Sequence, residues 1–167
     1  EEHTGCNAPQ RQARVHAESL REVRRLRPRR TAGRTRVARM SLPAPGPDRT
    51  AVVTGASSGI GAEIARELSR GGHHVTLVAR SADKLDELAA ELGDADVIAM
   101  DLADRAVRPT LPERVGENGR LIDILVNNAG LSTLGAVSRS DPEAEMNMIE
   151  VDVVAVADLC SRIVPGM

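Results

Sequence analysis

A glycine-rich run joins a short apolar stretch to an amphipathic one close to residue 55. The run, TGASSGIG over 54–61, follows an apolar Ala-Val-Val and precedes apolar residues that recur at helical spacing. Glycine lets the backbone approach a pyrophosphate closely, and a helix N-terminus offers free N–H groups and the positive end of its dipole. The run therefore predicts a phosphate-binding turn between a strand and a helix.

Strand-like and helix-like stretches alternate from residue 50 onward. Strands are predicted at 50–54, 74–79, 95–100 and 122–126, with helices between them. Two prolines, Pro109 and Pro112, interrupt the third of these helices. Because alternating strands and helices imply right-handed crossovers, the sequence predicts an α/β fold with a doubly wound parallel sheet, truncated after about four strands.

A last helix is predicted after the fourth strand. The sequence Ser-Asp-Pro-Glu over 140–143 reads as a capping box with a proline in the first helical turn. Apolar residues follow at helical spacing and predict one buried face, which includes a buried thiol. The residues of this predicted face are Met146, Ile149, Val153, Val156, Ala157 and Cys160.

Residues 1–48 differ from the rest of the chain in charge. They contain 11 arginines and 5 acidic residues, whereas residues 49–167 contain 11 basic and 19 acidic residues. We predict a disordered Arg-rich leader and Pro-rich linker over 1–48, and a partial domain that contains the phosphate-binding turn over 49–167. Three interpretations of the leader are open: a nucleic-acid-binding arm, an organelle transit peptide, or a segment without selected function, with translation starting at Met40. The absence of aromatic residues and the presence of acidic ones favour the third.

Several classes of protein are not supported by the sequence. It has no apolar run near the ~20 residues that span a bilayer, and no hydrophobic core of a signal peptide. Its two cysteines are too few for a disulfide framework, and its four histidines lack metal-ligand spacing. We therefore expect a cytoplasmic protein with no membrane segment and no metal site, and a nucleic-acid partner is not favoured.

Polar residues follow each of the four predicted strands. The glycine run follows the first, Arg80 the second, Asp101 the third, and Asn-Asn-Ala-Gly over 127–130 the fourth. Ligands of such sheets bind beyond the carboxyl ends of the strands. Arg80 is placed to meet an adenosine ribose, and arginine pairs with a 2′-phosphate, so NADP(H) is predicted in preference to NAD(H). The alternatives are a solvated arginine at position 80 and, for Asp101, a helix cap in place of an acceptor for the adenine amino group.

These motifs resemble those of the classical short-chain dehydrogenases/reductases, and within them the ketoacyl-reductase-like members. The glycine run, Asp101-Leu102 and the Asn-Asn-Ala-Gly motif carry the resemblance, which covers about residues 50–167. It implies a Rossmann-type fold and hydride transfer between NADP(H) and a small carbonyl or alcohol substrate. The residues that it places around the cofactor are Gly55, Ser57, Ser58, Gly59, Ile60, Gly61, Arg80, Asp101, Leu102, Asn128, Ala129 and Gly130. Asn127 is expected to tie neighbouring strands together.

The catalytic part of the family pattern is only partly present. Asp152 stands where the family has a catalytic asparagine, so the resemblance makes it the candidate catalytic residue. The family's serine and Tyr-x-x-x-Lys are absent, since the sequence contains no tyrosine and its one lysine is Lys84. Carbonyl reduction needs a proton donor beside the forming alkoxide, so we expect the chain to be inactive as it stands. The alternative is a non-catalytic nucleotide-binding protein or the remnant of a decayed reductase gene.

The resemblance also bears on assembly. Members of the family usually pair through the helix that starts here at Pro142. A homo-oligomer formed through this helix is therefore an expectation.

Overall fold

The computed structural model describes residues 41–167, which contain a four-stranded sheet. Its strands are β1 (Arg49–Thr54), β2 (Val75–Ala79), β3 (Ala95–Ala99) and β4 (Leu121–Val126). All neighbouring pairs are parallel and the order is β3-β2-β1-β4. The chain moves outward from β1 to β3 and then returns to the other side of β1, which creates a topological switch point between β1 and β4. The predicted α/β fold with a doubly wound parallel sheet is confirmed.

Helices connect and follow the strands. Helix α1 (Gly59–Arg70) follows β1, α2 (Ala82–Leu92) follows β2, and α3 (Leu111–Glu117) follows β3. The chain after β4 forms α4 (Pro142–Ile149), a π-helical segment (Glu150–Ala155) and α5 (Val156–Ile163) in direct succession. Single turns of 3₁₀-helix occur at Arg108–Thr110, Val137–Arg139 and Val164–Gly166.

The predicted leader lies outside the described residues except for 41–48. These eight residues form no helix or strand and are almost all exposed. The predicted disorder of the leader and its boundary at residue 48 therefore stay predictions.

Aliphatic side chains cover both faces of the sheet. Helices α1 and α2 pack on one face, against side chains that include Ala51 and Val53 of β1. Helices α3 and α5 pack on the other face, where Val52 of β1 and Val78 of β2 point. Because successive side chains of a strand point to opposite faces, β1 supplies both cores and is buried on both sides.

The third helix is shorter than the sequence pattern suggests. The predicted interruption takes the form of a 3₁₀ turn followed by a helix that begins only at Leu111. Pro109 lies in the 3₁₀ turn and Pro112 in the first turn of α3. A proline lacks the N–H that a first turn leaves unpaired in any case, so it is tolerated there.

The predicted buried face of the last helix is wrong. Met146, Ile149 and Val153 are exposed, at 63%, 42% and 59%, and Cys160 is only partly buried. The buried side chains recur at intervals of four: Val151, Ala155, Leu159 and Ile163. The π-helical segment inserts an additional residue into the helix and so rotates the face that meets the sheet.

The N-cap of α4 also differs from the prediction. Asp141, not Ser140, precedes the first helical residue, and its carboxylate accepts a hydrogen bond from the Glu143 N–H at 3.0 Å. The Ser140 hydroxyl donates instead to the Val137 carbonyl at 2.9 Å. An aspartate two residues before Glu143 supplies a charged cap, which the helix dipole favours.

Candidate functional site

A cavity of about 230 Å³ lies at the carboxyl ends of the strands. It spans the turn after β1, the ends of β2 and β3, and the chain after β4. This is the position of the topological switch point, where open α/β sheets bind their ligands. The residues that line this strand-end cavity are Gly55, Ser57, Ser58, Ala79, Arg80, Ser81, Met100, Asp101, Leu102, Ala129, Gly130, Leu131 and Val151.

The N-terminus of α1 adjoins this cavity and has no cap. Ser58 precedes the helix, its side chain makes no capping hydrogen bond, and the first turn contains no acidic residue. The first N–H groups of a helix have no partner within it, and its N-terminus carries a partial positive charge. The turn can therefore bind an anion with unpaired donors and an uncompensated dipole.

Two glycines set the shape of this turn. Gly55 has φ +66°, and a Cβ at this position would lie 2.8 Å from the Cα of Ala129. A Cβ on Gly61 would overlap the Asn128 side-chain amide and the Gly55 carbonyl. Larger residues would push the turn away from the end of β4, so these glycines allow the close approach on which the cavity depends. The cradle fits a pyrophosphate group.

The ends of β1 and β4 are joined by Thr54 and Asn128. The Thr54 hydroxyl accepts hydrogen bonds from the N–H groups of Asn128 and Ala129, both at 3.0 Å. The Asn128 side-chain amide donates to the carbonyls of Thr54 and Gly55, at 3.0 and 3.3 Å. The expectation that Asn127 ties the strands is wrong, since its amide donates to the Cys160 sulfur at 3.3 Å.

The ends of β2 and β3 form the far side of the cavity. Arg80 is exposed and makes no ion pair with any residue of 41–167. One oxygen of Asp101 accepts a hydrogen bond from the Ala103 N–H at 3.0 Å, so this carboxylate caps the turn that follows β3. Its second oxygen has no hydrogen bond in the described part of the chain. Met100 and Leu102 are buried beside it and give this end an apolar floor.

Asp152 lies at the edge of the cavity. It is the third residue of the π-helical segment, and its Oδ1 accepts a hydrogen bond from the Leu131 N–H at 2.8 Å. Leu131 itself lines the cavity, next to Gly130. The carboxylate is thus held beside the chain that leaves β4, with one oxygen engaged by the backbone.

The predicted cofactor residues fall into two groups. Eight line the cavity: Gly55, Ser57, Ser58, Arg80, Asp101, Leu102, Ala129 and Gly130. Four do not: Gly59, Ile60, Gly61 and Asn128. Gly59 and Ile60 line a neighbouring depression between α1 and α2, and the Ile60 side chain is 74% exposed. Gly61 and Asn128 form the wall behind the turn.

Sequence reasoning missed five residues of the cavity. Ala79, Ser81 and Met100 flank Arg80 and Asp101, so the strand-end argument could have included them. Leu131 and Val151 carry no such signal. Val151 reaches the cavity only because the last helix packs back across the sheet.

Residues 41–167 contain no group of three or more His, Cys, Asp or Glu side chains that could hold a metal ion. Within the same residues, no helix has the length and apolarity needed to cross a membrane.

The known proteins to which this chain is similar include oxidoreductases and reductases. An uncharacterized oxidoreductase of Staphylococcus saprophyticus is 37% identical over 125 residues, which are 72% of this chain and 53% of that protein. The human very-long-chain 3-oxoacyl-CoA reductase is 34% identical over 132 residues, 74% of this chain and 42% of that protein. The chain thus spans about half the length of the relatives it matches.

A solved structure extends the likeness to three dimensions. A metagenomic short-chain oxidoreductase in complex with NADP superposes with a TM-score of 0.68 at 34% identity, over 72% of this chain and 57% of that one. The family model described as short chain dehydrogenase matches residues 49–167, which include every strand and the whole strand-end cavity. Sequence and fold therefore agree, and the chain belongs to the short-chain dehydrogenase family.

Proposed function

We propose that this chain binds NADP(H) in the strand-end cavity and forms the cofactor-binding part of a reductase. The reaction would be hydride transfer between NADP(H) and a small carbonyl or alcohol compound. One observation carries the proposal: an uncapped helix N-terminus and an arginine without an ion pair in residues 41–167 lie at the same glycine-lined cavity. A metagenomic relative of the same fold was solved with NADP.

Each wall of the cavity suits one part of the dinucleotide. The turn at Ser57 and Ser58 would hold the pyrophosphate on free N–H groups. Arg80 would pair with the 2′-phosphate, since its guanidinium makes no ion pair in the described residues. The free oxygen of Asp101 would accept from the adenine amino group, over the apolar floor formed by Met100 and Leu102.

The remaining predicted residues would complete the cofactor site. Ala129 and Gly130 would contact the ribose beside the adenine, while Gly55, Gly59, Ile60, Gly61, Leu102 and Asn128 would shape or flank the cavity. A bound nicotinamide ring supplies the hydride for the reaction. Asp152 would lie beside the nicotinamide. The family pattern has an asparagine at this position.

A second candidate is a nucleotide-binding protein without catalysis. The sequence contains no tyrosine, and an aspartate replaces the amide at position 152. Aspartate keeps the shape of asparagine but cannot donate the two amide hydrogen bonds. This candidate predicts the same cofactor affinity as the first and no hydride transfer.

We also propose how the chain assembles and where it is located. The exposed apolar side chains of α4 and the π-helical segment, Met146, Ile149 and Val153, form a stripe suited to pairing with a second copy. We place the protein in the cytoplasm.

The cofactor proposal is tested by titrating the full 167-residue chain with NADPH and NADH. Arg80→Ala should weaken NADPH binding by about 10- to 100-fold, because a charge-assisted hydrogen bond contributes roughly 1.5–3 kcal/mol, and should change NADH binding little. Arg139→Ala is the matched control, since Arg139 is also an exposed arginine without an ion pair in residues 41–167. Equal losses for both cofactors would contradict the 2′-phosphate role, and no binding by the wild-type chain would refute the proposal.

A further inference from the structure

Arg108 is a buried arginine between the cavity and the last helix. Only 4% of its surface is exposed. It follows β3 in the 3₁₀ turn that leads into α3. Its Nη1 donates to the carbonyl of Leu102 at 2.8 Å, and Leu102 lines the strand-end cavity. A buried guanidinium is stable only when its donors are matched by acceptors, so its partners indicate what it holds in place.

Two carboxylates of the last helix are its other partners. Nη1 also donates to Glu150 at 2.9 Å, and Nε donates to Asp158 at 3.0 Å. Hydrogen bonds from Arg105 and Arg108 hold the pKa of Glu150 below its ordinary value. The hydrogen bond from Arg108, ahead of that from Arg162, does the same for the pKa of Asp158. Both groups are therefore carboxylates that face one guanidinium.

The π-helical segment explains how one arginine reaches both carboxylates. Glu150 is the first residue of the segment, and Asp158 lies three residues beyond its end. In a regular α-helix, residues eight apart lie about 80° from each other around the axis. With one residue inserted, eight residues turn about as far around the axis as seven residues of a regular α-helix. Glu150 and Asp158 then lie within about 20° of each other around the axis. Arg108 thus binds one carboxylate at the start of the π-helical segment and one beyond its end, and the geometry of the segment brings both to the same side of the helix.

Asp152 lies inside the part of the helix that Arg108 spans. Its hydrogen bond with the Leu131 N–H depends on the rotation of this part of the helix relative to the chain after β4. Relaxation of the π-helical segment to a regular α-helix would rotate one side of it against the other by about 100°. A rotation of that size would take Asp152 away from Leu131.

We propose that Arg108 is a positioning residue: it binds Leu102, Glu150 and Asp158 together, maintains the π-helical segment, and so holds Asp152 at the cavity. Its consequence for hydride transfer rests on the proposed function, because Asp152 matters to the reaction only if the nicotinamide binds beside it. Arg108 positions Asp152 even when no cofactor is bound.

The test is the Leu131 amide signal in ¹H–¹⁵N spectra of the full chain. A hydrogen bond to a carboxylate shifts an amide proton downfield and protects it from exchange, and Asp152→Ala gives the position without it. Arg108→Lys keeps the charge but lacks the planar fork. It should move the Leu131 signal most of the way to the Asp152→Ala position and raise its exchange rate roughly tenfold. Signals of Val53 and Leu77 in the sheet core should stay in place, which a general loss of structure would not allow.

Arg105→Ala is the matched control. Arg105 binds the same Glu150 carboxylate, at 3.0 and 2.6 Å, but contacts neither Asp158 nor Leu102. It should leave the Leu131 signal unchanged. An unmoved signal in folded Arg108→Lys, or an equal shift in Arg105→Ala, overturns the proposal.

Asp158→Asn covers the case in which Arg108→Lys does not fold. It removes the charge of one partner of Arg108 and keeps its volume, and it should move the Leu131 signal in the same direction. A folded Asp158→Asn chain with the wild-type signal overturns the proposal. NADPH titration separates the two claims: a wild-type chain that fails to bind NADPH refutes the proposed function and leaves the Leu131 result standing.

Discussion

Asn128 donates two hydrogen bonds to Thr54 where β1 and β4 end. The Asn128 N–H donates to the Thr54 hydroxyl and the Asn128 side-chain amide donates to the Thr54 carbonyl, each at 3.0 Å. The same hydroxyl donates its own proton to the Val126 carbonyl at 3.2 Å. Since the glycine turn begins at the next residue, this pair fixes the position of the turn relative to the chain after β4.

Replacement of Thr54 by valine tests the importance of this pair. The substitution keeps the shape of a side chain that is 1% exposed, and leaves the Asn128 and Ala129 N–H groups without their acceptor. We expect a loss of about 1–3 kcal/mol in the free energy of unfolding and weaker NADPH binding. Urea unfolding and cofactor titration measure the two effects. Thr54→Ser, which keeps the hydroxyl, should retain cofactor affinity; a Thr54→Val chain as stable as wild type would show that the hydroxyl is dispensable.

Gly61→Ala tests the close approach of the turn to β4. The added methyl group would meet the Asn128 amide and the Gly55 carbonyl, and overpacking of this kind costs about 1–3 kcal/mol. We expect lower stability and weaker NADPH binding. Gly116→Ala is the matched control, because a Cβ there meets nothing within 4 Å and the site is helical. The control should be stabilised by about 0.4–1 kcal/mol. A Gly61→Ala chain that behaves like the control would contradict the packing at this turn.

Local signals predicted most of the fold. Glycines, apolar periodicity and strand-end polar residues are signals that extend over a few positions. The four strands are therefore found close to their predicted limits, with helices between them. Arg80 and Asp101 reach the cavity because the carboxyl ends of parallel strands meet at one edge. These inferences need no knowledge of long-range packing.

The buried face of the last helix could not be predicted from local signals. Its apolar residues at 146, 149 and 153 have helical spacing, yet the sheet is covered by Val151, Ala155 and Leu159. The choice between two apolar faces depends on the π-helical segment, and that segment fits Arg108, some 40 residues away in sequence. The cavity residues Leu131 and Val151 follow from the same packing and carry no local pattern.

His74 makes the stability of the fold depend on pH. It is 5% exposed, its Nδ1 lies 2.9 Å from the Thr50 hydroxyl, and Asp94 and Asp96 lie 3.7 Å from its Nε2. Burial, followed by the nearby charge of Arg120, lowers the pKa of His74 below its ordinary value of 6.5. The unfolded chain therefore takes up a proton near pH 6.5 that the folded chain resists, so stability falls as the pH drops below this value.

His74→Gln should reduce this pH dependence. Urea midpoints measured at about pH 7.5 and 5.5 should differ less in the variant than in the wild-type chain. His73→Gln is the control, because the neighbouring His73 is less buried, and it should keep the wild-type difference. Identical pH dependence in all three chains would assign the acid sensitivity to other groups.

The 167-residue chain should bind NADPH without transferring its hydride to a ketone. Reduction requires a proton donor close to the forming alkoxide, and the sequence has no tyrosine to serve in that role. Asp152 does not replace it, since its Oδ1 acts as an acceptor and is engaged by the Leu131 N–H. The measurement is the loss of NADPH absorbance with a panel of ketones, at cofactor concentrations shown by titration to saturate the chain. Oxidation above a protein-free control would contradict the prediction and would identify a proton donor other than tyrosine.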